Sequence, residues 1–467
     1  MLVFLEDILW WLVLIGVMVM IHELGHFLAA RYFDVKVEAF SFGFGPRLFG
    51  FRRGETDYRV SLILFGGYVK MAGEQFQEIT GAPQTESHGA PDSDNEGIAN
   101  RFEGTINDPR SLPAKPRWQR LIIAFAGPFM NMVLAVAVLT GLFMVKYQKV
   151  SDADMEAVIG HVVPDSPAAK AGIQDGDRIV RLDKQWSPKW DDIEMKEFYS
   201  AYRPMRLTIE RAGRRFDTTV TPILSERYGV GYAGWDARGQ VQLGGIEPSY
   251  PAEKAGLKKG DIIVAVEGQP IHSPTKFQEL IKNSGGKPIT IEVLRGGEHH
   301  SVIIQPVWAK LDGPPHWMIG VAPQPKLDII TTKLSFPDAL NESLRQNSKD
   351  ALMIGQVVKG MVERRMSTKN LTGPIGLGQL AGQEARQGAS TFFMLMSMVS
   401  LNLAIFNLLP IPIMDGGTIL MLLVEMVMQR DLSLNVKEAV FKVGFVCIMV
   451  ILAFAIFNDI SKILPQG

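Results

Sequence analysis

The chain has a single cysteine, Cys447, among 467 residues, so it can form no internal disulfide. It also has little net charge, −1, because 48 lysines and arginines stand against 49 aspartates and glutamates. With no clustered basic patch, no nucleic-acid partner is expected. The first apolar run lacks the basic start of a secretory signal peptide. Glu6 and Asp7 precede it and no Lys or Arg occurs before Arg31, so it is expected to remain uncleaved.

Two long stretches, 121–145 and 391–414, contain no charged residue at all. Each is long enough to cross a bilayer as a helix. Residues 8–32 and 439–457 complete four candidate spans, the last interrupted only by Lys442. Basic residues cluster beside the span ends: Arg31, Lys36 and Arg47 after the first, Arg110, Lys115, Arg117 and Arg120 before the second, and Arg430, Lys437 and Lys442 between the third and fourth. By the positive-inside rule these loops are cytoplasmic, and the long segment 146–388 and both termini face the other side.

Three ionisable residues interrupt the first span, in Ile21-His22-Glu23-Leu24-Gly25-His26. Residues four apart share a helix face, so His22 and His26 can offer two imidazole nitrogens to one metal while Glu23 stands beside an open coordination position. This is the H-E-x-x-H pattern of zinc peptidases. Ionisable groups at membrane depth are costly and mark function. Zinc catalysis needs a third protein ligand, and Asp415 is the candidate. It follows Pro410 and Pro412 and precedes Gly416 and Gly417, a pattern that breaks a helix and permits close backbone approach. The first and third spans run in the same direction, so His22, His26 and Asp415 can meet toward the cytoplasmic side.

The expected organisation is an α-helical membrane protein with a membrane-associated β element and two α/β domains outside the membrane. Residues 1–37 carry the first span, 38–73 a β-rich region, 74–117 a polar insert, 118–147 the second span, 155–224 and 238–308 the two domains, 330–389 an amphipathic helix and connecting loop, 390–428 the broken third span and 437–462 the fourth. The β-rich region is either an ordinary cytoplasmic hairpin or a re-entrant element beside the metal helix, where protein or a water-filled cavity must cover its backbone. The two domains follow from a repeat: Pro164, Pro167, Ala168, Lys170, Ala171, Gly172, Gly176, Asp177, Ile179 and Val180 match Pro248, Pro251, Ala252, Lys254, Ala255, Gly256, Gly260, Asp261, Ile263 and Val264.

The segments 166–177 and 250–261 resemble PDZ domains of the bacterial, circularly permuted type. That resemblance implies peptide C-termini as partners, added as a strand to a sheet edge, with Gly160 and Gly244 in the region that holds the terminus. Spacers that only filter access are the other reading.

Together, the His22–His26 motif, Ala126-Gly127-Pro128-Phe129-Met130-Asn131, residues 407–417, Phe65-Gly66-Gly67-Tyr68-Val69-Lys70-Met71 and Thr372-Gly373-Pro374-Ile375-Gly376 resemble the site-2 protease family of intramembrane metalloproteases. Four spans with two PDZ copies between the second and third are similar to its RseP-type branch. The resemblance implies Zn²⁺ held by His22, His26 and Asp415, with Glu23 as catalytic base. It also implies that Asn407, Gly66, Gly67 and Tyr68 contact an unwound substrate. The implied substrates are single-span membrane proteins, a trimmed anti-sigma factor and remnant signal peptides, in a bacterial inner membrane with the PDZ copies periplasmic. Met414 replaces the leucine usual before Asp-Gly-Gly, and the insert after Glu74 is longer than the family pattern. A membrane-bound scaffold with a structural metal and a zinc transporter are the competing classes. The transporter needs a polar path, and the second span offers only Asn131 and Thr140.

Overall fold

The computed structural model describes residues 2–73, 108–151, 155–225, 228–310, 314–368 and 372–463. Most of the expected polar insert, residues 74–107, lies outside the described residues. The chain divides into two compact units, one of residues 1–147, 333–355 and 371–467, the other of residues 148–332 and 356–370.

The first unit is built on α1 (Leu2–Tyr32), β1 (Val37–Arg53), β2 (Thr56–Met71), α2 (Arg117–Val145), the part of α3 (Phe336–Val362) up to Gly355, α4 (Pro374–Gln387), α5 (Ala389–Asn407), α6 (Asp415–Met428) and α7 (Leu434–Ile463). Among the described residues four helices are long and apolar enough to cross a membrane: α1, α2, α5 and α7. They are apolar all round, as helices facing lipid must be. Their contacts are therefore made by small and polar side chains as well as by aliphatic ones. The hydroxyls of Ser397 and Ser400 on α5 donate to the carbonyls of Ala135 and Asn131 on α2, at 2.9 and 2.8 Å. Leu14, Met18, Phe392, Leu395 and Met396 fill the space between α1 and α5. The amphipathic pattern expected over 336–366 is realised as α3.

β1 and β2 form more than a hairpin. The first half of β1 is flanked on one side by the end of β2, with Ser41 opposite Tyr68. On the other it meets the start of β2, with Ser41 opposite Arg59. The second half of β1 then pairs with that start, Phe51 opposite Tyr58. Two long strands thus fold back into a sheet of four strand segments joined by three ladders, one outer edge of which is the segment 67–71. Its inner face packs on α1 through Val35, Val37, Val69, Met71 and Ala30. It reaches Gly16, halfway along α1, where a Cβ would stand 2.9 Å from the Phe42 ring.

Thr372–Gly376 docks on α7. The amides of Gly373 and Gly376 donate to the buried Asp459 carboxylate at 2.8 and 2.9 Å, which caps the start of α4.

The second unit contains the repeat. Each copy has a short helix, Pro167–Lys170 or Pro251–Lys254, a longer one, Trp190–Tyr199 or Pro274–Lys282, and a sheet of its own. The buried Asp177 pairs with Arg211 at 2.6 Å, and the buried Asp261 with Arg295 at 2.6 Å, the same clamp twice. The strand Ile159–Val162 pairs with Trp235–Ala237, and Gln240–Ile246 with Val321–Lys326. The strands that complete each copy therefore lie beyond the expected ends at 224 and 308. Gly160 and Gly244 sit inside strands, where a Cβ would collide with the backbone at Ala237–Arg238 or with Gln324. They serve close strand packing and do not form a terminus-binding loop.

Candidate metal centre

The sequence spacing on α1 brings His22 and His26 to one face, with their Nε2 atoms 3.2 Å apart. Asp415 completes the group: its carboxylate oxygens lie 3.1 Å from His22 Nε2 and 3.4 Å from His26 Nε2. All three ligand atoms fall within 4.8 Å of one another. Both histidines are buried.

Asp415 reaches this position because the chain breaks between α5 and α6. Pro410 and Pro412 cannot continue the helical ladder, Ile413 takes a positive φ of 81°, and α6 restarts at Asp415 itself. Gly416 and Gly417 press on the backbone of Leu408, Leu409 and Ile411, where a Cβ would have no room. On the opposite side, α2 passes so close that a Cβ on Gly127 would collide with His26 Nε2, and one on Gly25 with the Ala126 carbonyl. Glycine at these places cradles the imidazoles.

The remaining ring nitrogens are also engaged. His26 Nδ1 is 2.8 Å from the Ile123 carbonyl, which can only accept, so Nδ1 carries the proton and Nε2 a free lone pair. Asn131 Nδ2 lies 3.2 Å from His22 Nδ1, while Asn131 Oδ1 is buried without a partner. Turning the amide over lets Oδ1 accept from His22 Nδ1–H and leaves His22 Nε2 for a metal. Two neutral imidazoles and a carboxylate, each oriented from behind, are the donor set of a three-ligand catalytic zinc site.

Glu23 accepts a hydrogen bond from the Val69 backbone N–H on the sheet's outer edge. It lines a cavity of about 560 Å³ with His22, His26, Asp415, Tyr68 and Asn407. Of the expected substrate contacts, Tyr68 and Asn407 thus lie in the cavity wall, and Gly67 packs against Glu23 and Val19. Gly66 lies beside the Phe44 ring at a φ of +116°.

Two features of this site were not among the expected site residues. Asn131 is one, signalled only by being the sole amide in a span without charge. The other is Glu425, 1% exposed in the cavity wall, which takes Arg120 at 2.7 Å and Lys437 at 2.7 Å and so ties α6 to α2 and α7.

The peptidase family M50 model matches residues 10–451. The chain belongs to peptidase family M50. As an M50 enzyme it is a zinc metalloprotease. The regulator of sigma E protease of Salmonella typhimurium is 29% identical over 98% of this M50 chain and 100% of its own length. RseP of Escherichia coli is 28% identical over 99% and 100%. A Neisseria meningitidis protein whose name marks it as a zinc metalloprotease is 30% identical over 96% and 97%. A PDZ domain of an SdrC-like protein from Listeria monocytogenes is 23% identical, covering 18% of this chain and 87% of that one, with a TM-score of 0.16.

Proposed function

We propose that this M50 protease hydrolyses a peptide bond within or beside the membrane-spanning segment of a single-span protein, as a step of regulated intramembrane proteolysis. The observation that carries this reading is that His22, Glu23 and His26, on a helix apolar enough to cross a bilayer, meet Asp415 at the start of α6. Zinc, when bound, polarises the scissile carbonyl and acidifies water. Glu23 removes the water proton through a carboxylate oxygen and later delivers it to the leaving nitrogen. The Val69 amide holds that carboxylate in place.

A helical substrate hides its carbonyls in its own hydrogen bonds and must be extended before attack. The edge 67–71 offers a template, because one side of it is bound to β1 and the other lies beside Glu23. A substrate strand added there passes the cavity, with Gly66, Gly67 and Tyr68 along it and Asn407 across from it. The sheet lies at membrane depth against the middle of α1 in this reading.

The basic loops support an orientation with the metal centre toward the cytoplasm, and the repeats then lie in the periplasm of a bacterial inner membrane. Both repeats are read as PDZ domains, a fold whose partners are peptide C-termini. Substrates are of the anti-sigma-factor or signal-peptide-remnant kind, reached after a first cut removes bulk outside the membrane. The names of two full-length relatives, regulators of sigma E, support the link to sigma-factor control.

The test is cleavage of a tagged single-span substrate in detergent by wild type, Glu23→Gln and Asp415→Ala, with zinc assayed in each. Glu23→Gln should keep zinc and lose cleavage, and Asp415→Ala should lose both. An active Glu23→Gln protein overturns the base assignment.

A further inference from the structure

The two repeats differ at one place that decides what each can bind. Their loops align through identical bonds. The Ala168 and Ala252 amides donate to the Ala233 and Ile319 carbonyls at 2.9 Å, and the Val163 and Glu247 amides donate to the Gly234 and Gly320 carbonyls at 2.9 Å. Gly234 and Gly320 share a positive φ, 84° and 78°. Tyr232-Ala233-Gly234-Trp235 and Met318-Ile319-Gly320-Val321 are therefore the same turn, each leading into the strand that completes its domain. The longer helices align as well, since both start just after their N-caps, Lys189 and Ser273, and set Ile193 and Phe277 in the two cores. One helical turn further on, the first carries Glu197 and the second Ile281.

Glu197 turns its carboxylate onto the loop. Oε1 accepts from the Ala233 amide at 2.5 Å and Oε2 from the Trp235 indole N–H at 2.7 Å. The helix can come this close because residue 231 is glycine, packed against the Glu197 carbonyl, whereas its counterpart in the second copy is Trp317. The first copy is also strapped shut: Arg365 bonds the Tyr199 carbonyl and the Ser367 amide the Gly229 carbonyl. In the second copy the same space is a groove of about 130 Å³, walled by Phe277, Ile281, Lys282, Trp317, Met318 and Val321.

The backbone amide that receives Glu197 in the first copy, Ala233 N–H, has its counterpart in Ile319 N–H of the second, where Val321 offers no equivalent of the Trp235 indole. Successive backbone amides in such a turn suit an anion. We infer that the repeats are a closed and an open form of one carboxylate-binding groove. The first holds its own Glu197 as ligand, and only the second is free for a peptide with a terminal carboxylate and an apolar last side chain. Lys282, where the first copy has Phe198, adds positive charge at the open groove. This rests on reading the repeats as PDZ domains, and it goes beyond that reading by assigning the binding to one copy and naming what closes the other.

The experiment uses the full chain with Glu23→Gln, so that the probe survives. The probes are labelled peptides of about ten residues, randomised upstream of a terminal Val, Leu or Phe, each as free acid and as C-terminal amide. One free-acid peptide should bind per chain, at least about tenfold tighter than the amide. Glu197→Ile should raise the stoichiometry to two. Ile281→Glu should abolish binding, and because it places a charge in a packed core, Lys282→Glu is its companion, expected to weaken the acid and leave the amide unchanged. Two sites before substitution, or one site still in a folded Glu197→Ile protein, overturns the plug. No binding, or no preference for the acid, overturns the open groove. Cleavage of a model substrate by the chain with Glu23 intact is measured in parallel, and its failure bears on the protease reading alone.

Discussion

The backbone of Gly67 rests against Glu23: a Cβ at residue 67 would stand 3.3 Å from Glu23 Cγ and 2.8 Å from the Ser41 carbonyl oxygen. Gly67→Ala must push the edge strand away from either β1 or α1. A displacement on the order of an ångström at a reacting group costs roughly a hundredfold in rate. The expected outcome is a kcat/KM lowered by about that factor with zinc content unchanged. Full activity would show that the strand is not held in register with the base.

Asn131 should matter to the metal before it matters to turnover. Removing a group that orients a ligating imidazole typically weakens metal affinity by about 10–100-fold. Chelator competition on purified Asn131→Ala should show a loss of that size, while Asn131→Asp, which keeps an acceptor, should lose less. Equal affinities would assign Asn131 to helix packing.

Glu425 holds two cations in a nearly dry place. Glu425→Ala leaves Arg120 and Lys437 without their anion, and breaking a buried pair in this way costs about 3–5 kcal/mol. Denaturation in detergent should record that loss. Replacing Arg120, Glu425 and Lys437 together by apolar residues should recover most of it, since no charge is then stranded.

Burial raises the Glu197 carboxyl from 4.5 to about 7, although Ala233 and Trp235 hydrogen-bond its charged form. Glu194, Asp236 and Tyr232 also face it, the two carboxylates adding to the rise. Between 4.5 and 7 the folded domain therefore holds a proton that the unfolded chain releases. The contribution favours folding as pH falls through 7, is complete below 4.5 and is lost above 7, with a ceiling of about 3 kcal/mol. Hydrogen exchange over residues 190–199, corrected for intrinsic rates, should show protection rising from pH 8 to pH 5 in wild type relative to Glu197→Gln.

Much of the molecule can be read from residue order because its strongest signals are local. Long apolar runs announce the four long helices, the spacing of His22 and His26 places them on one face, and the Pro410–Gly417 segment announces the break that delivers Asp415. What resists reading is pairing. Alternation in β1 tells which side chains are buried but not that Ser41 has both Arg59 and Tyr68 as neighbours. The closing strands, Trp235–Ala237 and Val321–Lys326, are short or contain prolines, so the domain ends looked earlier than they are. Glu197 and Glu425 look like ordinary helix-surface carboxylates until their partners, distant in the chain, are in place.

The proposed ligands of the metal centre come from opposite ends of the polypeptide, with roughly four hundred residues between His26 and Asp415. At typical elongation speeds that interval takes about 20–80 s. A chain still on the ribosome thus carries two histidines and a base but no third ligand. The protease is inert throughout its own synthesis and insertion, and its neighbours in the membrane are safe from it until the final helices arrive.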